Sequence, residues 1–402
     1  MTAKRIIKVG VVGCGVVATA YYLPYLYKMG SVELVAVCDI YPERTAACVR
    51  LFGAKEEYLD YYEMIEKVDI EAVLILTGPG THVPFTLKAL EKGIHVLLQK
   101  PMALNLEDAR TIARVTRQKD LVVLIEPSSN TLLDPDIVLL RSLIDQGVLG
   151  KPYWFSFFES RPEGPHPSLG GNPYGMGAFY SEDSGGVLFD YPYAPALIVS
   201  LLGPCKSVTG LAKLSVPERF IVPEEGYNQY IQEATDPFNS NYWDQVVEMP
   251  RSQQITMAAP DNVFSLYEME NGFTGVFHVG RPFQPALPGT GAGGLMLFGS
   301  EGNLIGSSIL TARKELLPEV GPDGWWHLPS QVDWSKAKWP QPAPGSFNYY
   351  HESTQHFIDC ILEGRDPLPN VEFGTHITEM MWGALESSRT GKRYEITAKL
   401  PL

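Results

Sequence analysis

An α/β domain built on a mostly parallel, doubly wound sheet, followed by an α+β domain, is the fold class this sequence predicts. Three observations predict it. Near-continuous apolar runs alternate with helix-length amphipathic segments over residues 1–128. Beyond residue 128 that rhythm gives way to strands followed by helices. A chain of 402 residues also exceeds one ordinary core, so two domains are expected, 1–128 and 129–402.

The first strand is read at 6–13 (IIKVGVVG), a β-branched run of the sort that a strand buried on both faces requires. Further runs follow at 33–38 (ELVAVC), 72–76 (AVLIL), 95–98 (HVLL) and 121–125 (LVVLI), separated by helical segments at 16–29, 42–53, 81–92 and 105–118. Thr81 and Asn105 are placed as helix starts, the latter with Glu107 and Asp108 in its first turn, and Gly93 as a helix stop.

A helix-like segment at 134–147 leads to the strand-like KPYWFSFFES at 151–160. Strands are read at 262–269 and 273–279, around the Glu270-Asn271-Gly272 turn, and at 294–298, with helices at 350–363 and 373–389. The Pro/Trp-rich stretch 317–346 reads as a long irregular excursion, and 217–260 as an insertion.

Composition narrows the function. A formal charge of −14 argues against a phosphate-backbone binder, because nonspecific nucleic-acid affinity comes from clustered Lys and Arg. No run of about 18 apolar residues offers a membrane span, and the N-terminus enters a strand without a secretory pattern, so a cytoplasmic location is expected. The five cysteines form no C-x-x-C pair, which indicates neither a disulfide framework nor a metal site. The expected partner is a small molecule.

Gly13-Cys14-Gly15-Val16-Val17-Ala18 matches G-x-G-x-x-G/A, directly after a strand and opening a helix. There Gly13 permits a tight turn, and Gly15 lets the backbone approach a pyrophosphate above the helix N-terminus. Asp39 ends the second strand, where a carboxylate accepts from an adenosine ribose diol. It would repel a 2′-phosphate, and Ile40 and Tyr41 offer no Arg to receive one, so NAD is favoured; nearby Arg44 keeps NADP open. A strand, turn and helix with no nucleotide is the plain alternative.

The fourth run ends in Gln99-Lys100-Pro101, and Thr77-Gly78-Pro79-Gly80-Thr81-His82 follows the third. Both belong to carboxyl ends of the parallel sheet, where open α/β sheets bind ligands. A cation at Lys100 beside a substrate hydroxyl would stabilise a developing alkoxide. The alternative is an exposed strand-end lysine.

Together VGVVGCGVVA, Asp39, TGPGTH, GIHVLLQKPMALN and the later SGGVLFDYPY segment resemble the glucose–fructose oxidoreductase, inositol dehydrogenase and rhizopine-catabolism family (Gfo/Idh/MocA). The resemblance spans nearly the whole chain. It implies a Rossmann domain followed by a domain with a large, open-faced, mostly antiparallel sheet, and NAD- or NADP-dependent oxidation of sugars, cyclitols or related polyols. It makes Lys100 the lysine at the reacting hydroxyl, and places Gly13, Gly15, Val16, Val17, Asp39, Ile40, Thr77, Gly78, Pro79, His82, Gln99 and Lys100 around the dinucleotide. The family's Glu before this lysine is Gln99 here, which removes a negative charge beside the ammonium.

Relatives read Gly-Gly-x-Leu-x-Asp-x-Gly-x-His where this chain has Ser184 to Tyr193. The chain lacks the glycine after the Asp and is one residue shorter. The resemblance then gives Tyr193 the acid/base position and Asp190 the positioning carboxylate, with Tyr191 a competitor; a buried tyrosine and a helix cap are the structural alternatives. In the 160–183 loop, His166 and Tyr180, with Arg161, Asn172, Tyr174, Glu182 and Asp183, suit a polyhydroxylated ligand. His376 matches a family position near substrate.

Three functions follow. The first is hydride transfer between NAD and a secondary hydroxyl of a sugar, glycoside or cyclitol. The second is glycoside cleavage through transient oxidation. The third is a non-catalytic NAD or sugar sensor, kept open by Gln99 and the altered Asp190–Tyr193 segment. The resemblance also implies a homodimer or homotetramer assembled through the open sheet face.

Overall fold

β-branched and leucine-rich runs pair in parallel to make the first sheet: β1 (Ile7–Val12), β2 (Val32–Cys38), β3 (Glu56–Tyr58), β4 (Ala72–Ile75), β5 (His95–Leu98) and β6 (Val123–Ile125). Their order is β3-β2-β1-β4-β5-β6. The winding reverses between β1 and β4, and the carboxyl ends there flank the crevice in which such sheets bind ligands. The computed structural model describes residues 5–160, 168–169, 184–221, 254–280, 294–329 and 349–400.

Both faces of this sheet are covered, which is why its strands read as unbroken apolar runs. One face carries Val9, Val11 and Leu74 against Tyr22, Leu23, Leu26, Phe357, Ile358 and Ile361. The other carries Val73, Ile75 and Val96 against Met64, Ile65, Leu90 and Ile112.

The helices depart from expectation in three places. The expected helix at 16–29 is helical from Val16 but holds a π-helical turn at Ala18–Tyr22 before α1 (Leu23–Leu26). Pro24 has no N–H for the normal ladder there, and the Leu23 N–H reaches back to Ala18 O instead. After α2 (Pro42–Phe52), β3 and α3 (Tyr61–Lys67) occupy a stretch for which no element was expected; Asp60 caps α3 by accepting from the Glu63 N–H. Finally, α4 (Pro79–Glu91) begins before Thr81, with Gly78 as N-cap and Pro79 in its first turn, where a missing N–H costs nothing. The α5 helix (Leu106–Lys119) starts as expected, Asn105 accepting from the Asp108 N–H at 2.9 Å.

The chain divides into two compact units, 1–139 with 329–378 and 398–401, and 140–328 with 379–397 and 402. Helix α6 (Pro135–Asp145) spans the first division.

The second unit is built on nine strands in the order β17-β16-β15-β14-β7-β13-β12-β9-β18. These are β7 (Pro152–Ser160), β9 (Cys205–Lys213), β12 (Asn262–Met269), β13 (Thr274–Gly280), β14 (Leu295–Gly299), β15 (Gly302–Ile305), β16 (Ser308–Thr311), β17 (Trp326–His327) and β18 (Tyr394–Glu395). All neighbours are antiparallel except β7 and β13. A separate sheet joins β8 (Ser168–Leu169), β10 (Glu218–Ile221) and β11 (Gln254–Thr256).

Two short helices, α7 (Val187–Asp190) and α8 (Tyr193–Leu202), precede β9, and α9 (Tyr349–Glu363) and α10 (Val371–Thr390) come near the end of the chain. One face of the large sheet is covered by the later turns of α10. Gly210 admits the helix: a Cβ there would stand 2.0 Å from Ala384 O, and its N–H donates to Ser387 Oγ at 3.0 Å. On β12 the alternation is strict, with Val263, Ser265 and Tyr267 buried and Phe264 and Leu266 exposed.

All five cysteines are free and buried. Among the described residues no helix is long and apolar enough to cross a membrane, and no group of three or more His, Cys, Asp and Glu side chains is placed to hold a metal ion.

Candidate active site

The site is assembled at the carboxyl ends of β1, β2, β4 and β5. β1 delivers the turn at Gly13, which has φ +88°; a Cβ there would lie 2.7 Å from Leu76 O, so only glycine fits. Two residues on, the Cβ position of Gly15 has no heavy atom within 4 Å. Helical backbone starts at Val16, so the free N–H groups of a helix start border open space. Val16 is 70% exposed and Val17 is half-buried.

Asp39 ends β2 and is nearly buried. Its Oδ2 accepts from the Cys14 N–H at 2.7 Å and its Oδ1 from the Tyr41 N–H at 3.0 Å. Arg44 stands 3.8 Å from Oδ2 and lies over the Tyr41 ring at 4.3 Å, while Ile40 is 75% exposed. These features fit a dinucleotide: an open glycine at a helix start, a carboxylate at Asp39 bonded to the residue before that glycine, and exposed apolar side chains beside both.

From β4 the chain enters the Thr77 loop. Thr77 Oγ1 and Thr81 Oγ1 are 2.6 Å apart, and Thr81 donates to Gly78 O at 3.0 Å. Gly78 is exposed and Pro79 opens α4. His82 is wholly buried, with Nδ1 at 2.8 Å from Pro101 O and Nε2 at 3.0 Å from Thr77 O. It clasps the loop after β4 to the segment after β5. Burial pushes its pKa below the ordinary histidine value. A neutral imidazole donates to only one of these carbonyls.

Lys100 is half-buried at the end of β5, and its N–H donates to Gln99 Oε1 at 3.2 Å. Gln99 Nε2 donates to the Tyr22 hydroxyl at 2.7 Å, which donates to Glu126 Oε1 at 3.0 Å. Glu126 is buried just after β6, and also accepts from Ser353 Oγ at 2.7 Å and the Ser128 N–H at 2.5 Å. Burial raises the pKa of its carboxyl, and these donors oppose the rise. Sequence reading missed Tyr22, Glu126 and Ser353; the one local signal was an acid closing an otherwise apolar run.

In the second unit, Ser184 Oγ accepts from the Gly186 N–H at 3.1 Å, and Gly186 has φ +77° with Pro260 O at 2.6 Å from a Cβ placed there. Asp190 is buried at the end of α7. Tyr193 opens α8 half-buried, its ring 5.5 Å from that of Tyr191. The N-cap of α8 is Pro192, which makes no side-chain cap bond. His376 is buried with Nδ1 at 2.9 Å from Ala398 O. His166, Tyr180 and the rest of the 161–167 and 170–183 loop lie outside the described residues.

Comparison with known proteins bears on this arrangement. Residues 7–126 match the family model GFO_IDH_MocA, described as an oxidoreductase family with an NAD-binding Rossmann fold. Inositol 2-dehydrogenase of Salmonella paratyphi B is 28% identical over 147 residues, 36% of this chain and 44% of that protein. scyllo-Inositol 2-dehydrogenase (NAD(+)) of Bacillus subtilis is 27% identical over 184 residues, 46% and 50% of the two chains. The chain thus spans about half the length of the curated relatives it matches. Levoglucosan dehydrogenase, solved in complex with NADH and L-sorbose, shares the fold over 98% of this chain and 99% of its own, with a TM-score of 0.72 at 18% identity. Over residues 7–126, the chain is thus similar to the NAD-binding Rossmann domain of the Gfo/Idh/MocA oxidoreductase family.

Proposed function

We propose that this protein is an NAD-dependent dehydrogenase that moves a hydride between the nicotinamide and a secondary hydroxyl of a sugar, glycoside or cyclitol. One observation carries the reading: an open glycine turn, a ribose-type carboxylate and a half-buried lysine occupy the carboxyl ends of β1, β2 and β5 of one sheet. The names of the relatives, inositol and levoglucosan dehydrogenases, support the substrate class.

Bound NAD supplies the hydride acceptor or donor. The turn at Gly13 and Gly15 would hold its pyrophosphate and Asp39 its ribose diol. Lys100 would stabilise the alkoxide that develops on the reacting carbon's oxygen. Tyr193 would carry the proton and Asp190 would position it, with Tyr191 the competing acid/base. His166 and Tyr180 would contact the polyol.

The exposed apolar side chains Trp154, Leu211, Phe264 and Leu266 on the large sheet support a homo-oligomer built on that face, to be checked by sedimentation. The five free thiols suit the reducing cytoplasm.

A spectrophotometric screen of NAD and NADP against inositols, monosaccharides and glycosides tests the function. NADH formation with a polyol, abolished in Lys100→Ala while NADH binding persists, is the expected result. Undiminished turnover in Lys100→Ala would overturn the role of the lysine, and no turnover across the panel would overturn the dehydrogenase reading.

A further inference from the structure

The polar chain beneath Lys100 has a direction, and Glu126 sets it. An ionised carboxylate only accepts, and three donors converge on this one: Tyr22, Ser353 and the Ser128 N–H. The single hydroxyl hydrogen of Tyr22 points to Glu126, so toward Gln99 the Tyr22 oxygen can only accept. Gln99 must therefore turn Nε2 to Tyr22, at 2.7 Å. Its Oε1 is left facing the Lys100 N–H, at 3.2 Å. The Tyr22 ring is itself held by Tyr350, edge to face at 5.4 Å. With Glu126 ionised, every link allows one orientation, and Tyr22, Gln99 and Glu126 are all buried.

We propose that Glu126 is a positioning residue for Lys100, fixing through Tyr22 and Gln99 the acceptor that holds the lysine's backbone, in place of the carboxylate that position 99 lacks. The inference rests on the reading of Lys100 as the reacting lysine.

The direction makes a definite prediction. In Glu126→Gln, the new amide satisfies the Ser128 N–H with its oxygen and turns its NH2 toward Tyr22 and Ser353. The Tyr22 hydroxyl must then donate to Gln99, whose amide flips, and an NH2 group faces the Lys100 N–H. Adding Gln99→Glu repairs this. Position 99 again accepts, both from Tyr22 and from the Lys100 N–H, and the chain runs the other way with every group paired.

The test is amide hydrogen exchange at Lys100 in the full chain, with the Val96 N–H, bonded to Val122 O in the same sheet, as control. Glu126→Gln and Tyr22→Phe should each speed exchange at Lys100 roughly tenfold and leave Val96 unchanged, and Gln99→Glu/Glu126→Gln should return it to the wild-type rate. Turnover should follow the same order, with kcat falling and NADH affinity kept in the single variants and kcat recovered in the double variant. Tyr22→Phe removes one atom and carries the test should Glu126→Gln not fold. Wild-type exchange at Lys100 in the single variants, or a folded double variant that recovers neither exchange nor kcat, would overturn the proposal. Exchange needs no substrate, so the expected pattern in a protein that oxidises no polyol would keep the coupling and end the dehydrogenase reading.

Discussion

Cys14 and Asp39 are joined by a buried hydrogen bond of 2.7 Å from the backbone N–H of one to the carboxylate of the other. The bond ties the turn after β1 to the end of β2, so the carboxylate that would select the ribose also shapes the turn that would hold the phosphates. Asp39→Ala removes both effects and leaves Arg44 without its nearby carboxylate. NADH affinity should fall about tenfold or more, and the preference for NADH over NADPH should shrink, read by fluorescence titration of both nucleotides.

The two turn glycines should behave differently. Gly13→Ala puts a Cβ against Leu76 O in a backbone conformation with φ +88°, and should lower the melting temperature as well as abolish nucleotide binding. Gly15→Ala meets nothing within 4 Å in the protein. It should melt like the wild type and lose nucleotide affinity, because the added methyl enters the space the pyrophosphate would take.

His82 gives a pH dependence. Its folded-state pKa is depressed by burial, so its contribution to stability is fully present above its unfolded value of about 6.5 and is lost as pH falls through the depressed value. Wild-type thermal stability should therefore decline from pH 7.5 to 5 more steeply than that of His82→Gln. At pH 7.5 the variant should be less stable by about 1–3 kcal/mol, since the Pro101 and Thr77 carbonyls lose their clasp.

In the second unit, Asp261 is wholly buried and accepts from the Ser215 and Val216 N–H groups at 2.6 and 2.9 Å, with Arg219 at 3.2 Å. Asp261→Asn removes the carboxylate charge that faces the buried Arg219 guanidinium. It should cost about 3–5 kcal/mol, measured by urea denaturation.

How much of this was legible in the sequence depends on the range over which each feature is encoded. β1, β2, β4, β5 and β6 could be read because strands buried on both faces leave an apolar run. β3 could not: it is a three-residue edge strand, Glu56–Tyr58, whose first two residues are exposed. β9, β16 and β17 mix exposed and buried residues, and β15 buries only Leu304 fully, so none gives such a run. Pro24 marked the point where the first helix changes its ladder, but the segment's apolar pattern ran on through it. In the candidate site, Gly13, Asp39 and Lys100 were legible because strand ends fix them locally. The pairing of Tyr22 with Glu126 was not, since 104 residues separate them and only the closed sheet brings them together.

The burial of all five thiols has a practical consequence for spectroscopy. A maleimide dye applied to the folded protein should find almost nothing to react with, so one introduced cysteine becomes a clean labelling position without any background substitutions. Ile40 is a natural choice, being 75% exposed next to the carboxylate that ends β2. A fluorophore at Ile40→Cys would report nucleotide arrival in real time, on a chain whose native sulfur chemistry stays silent.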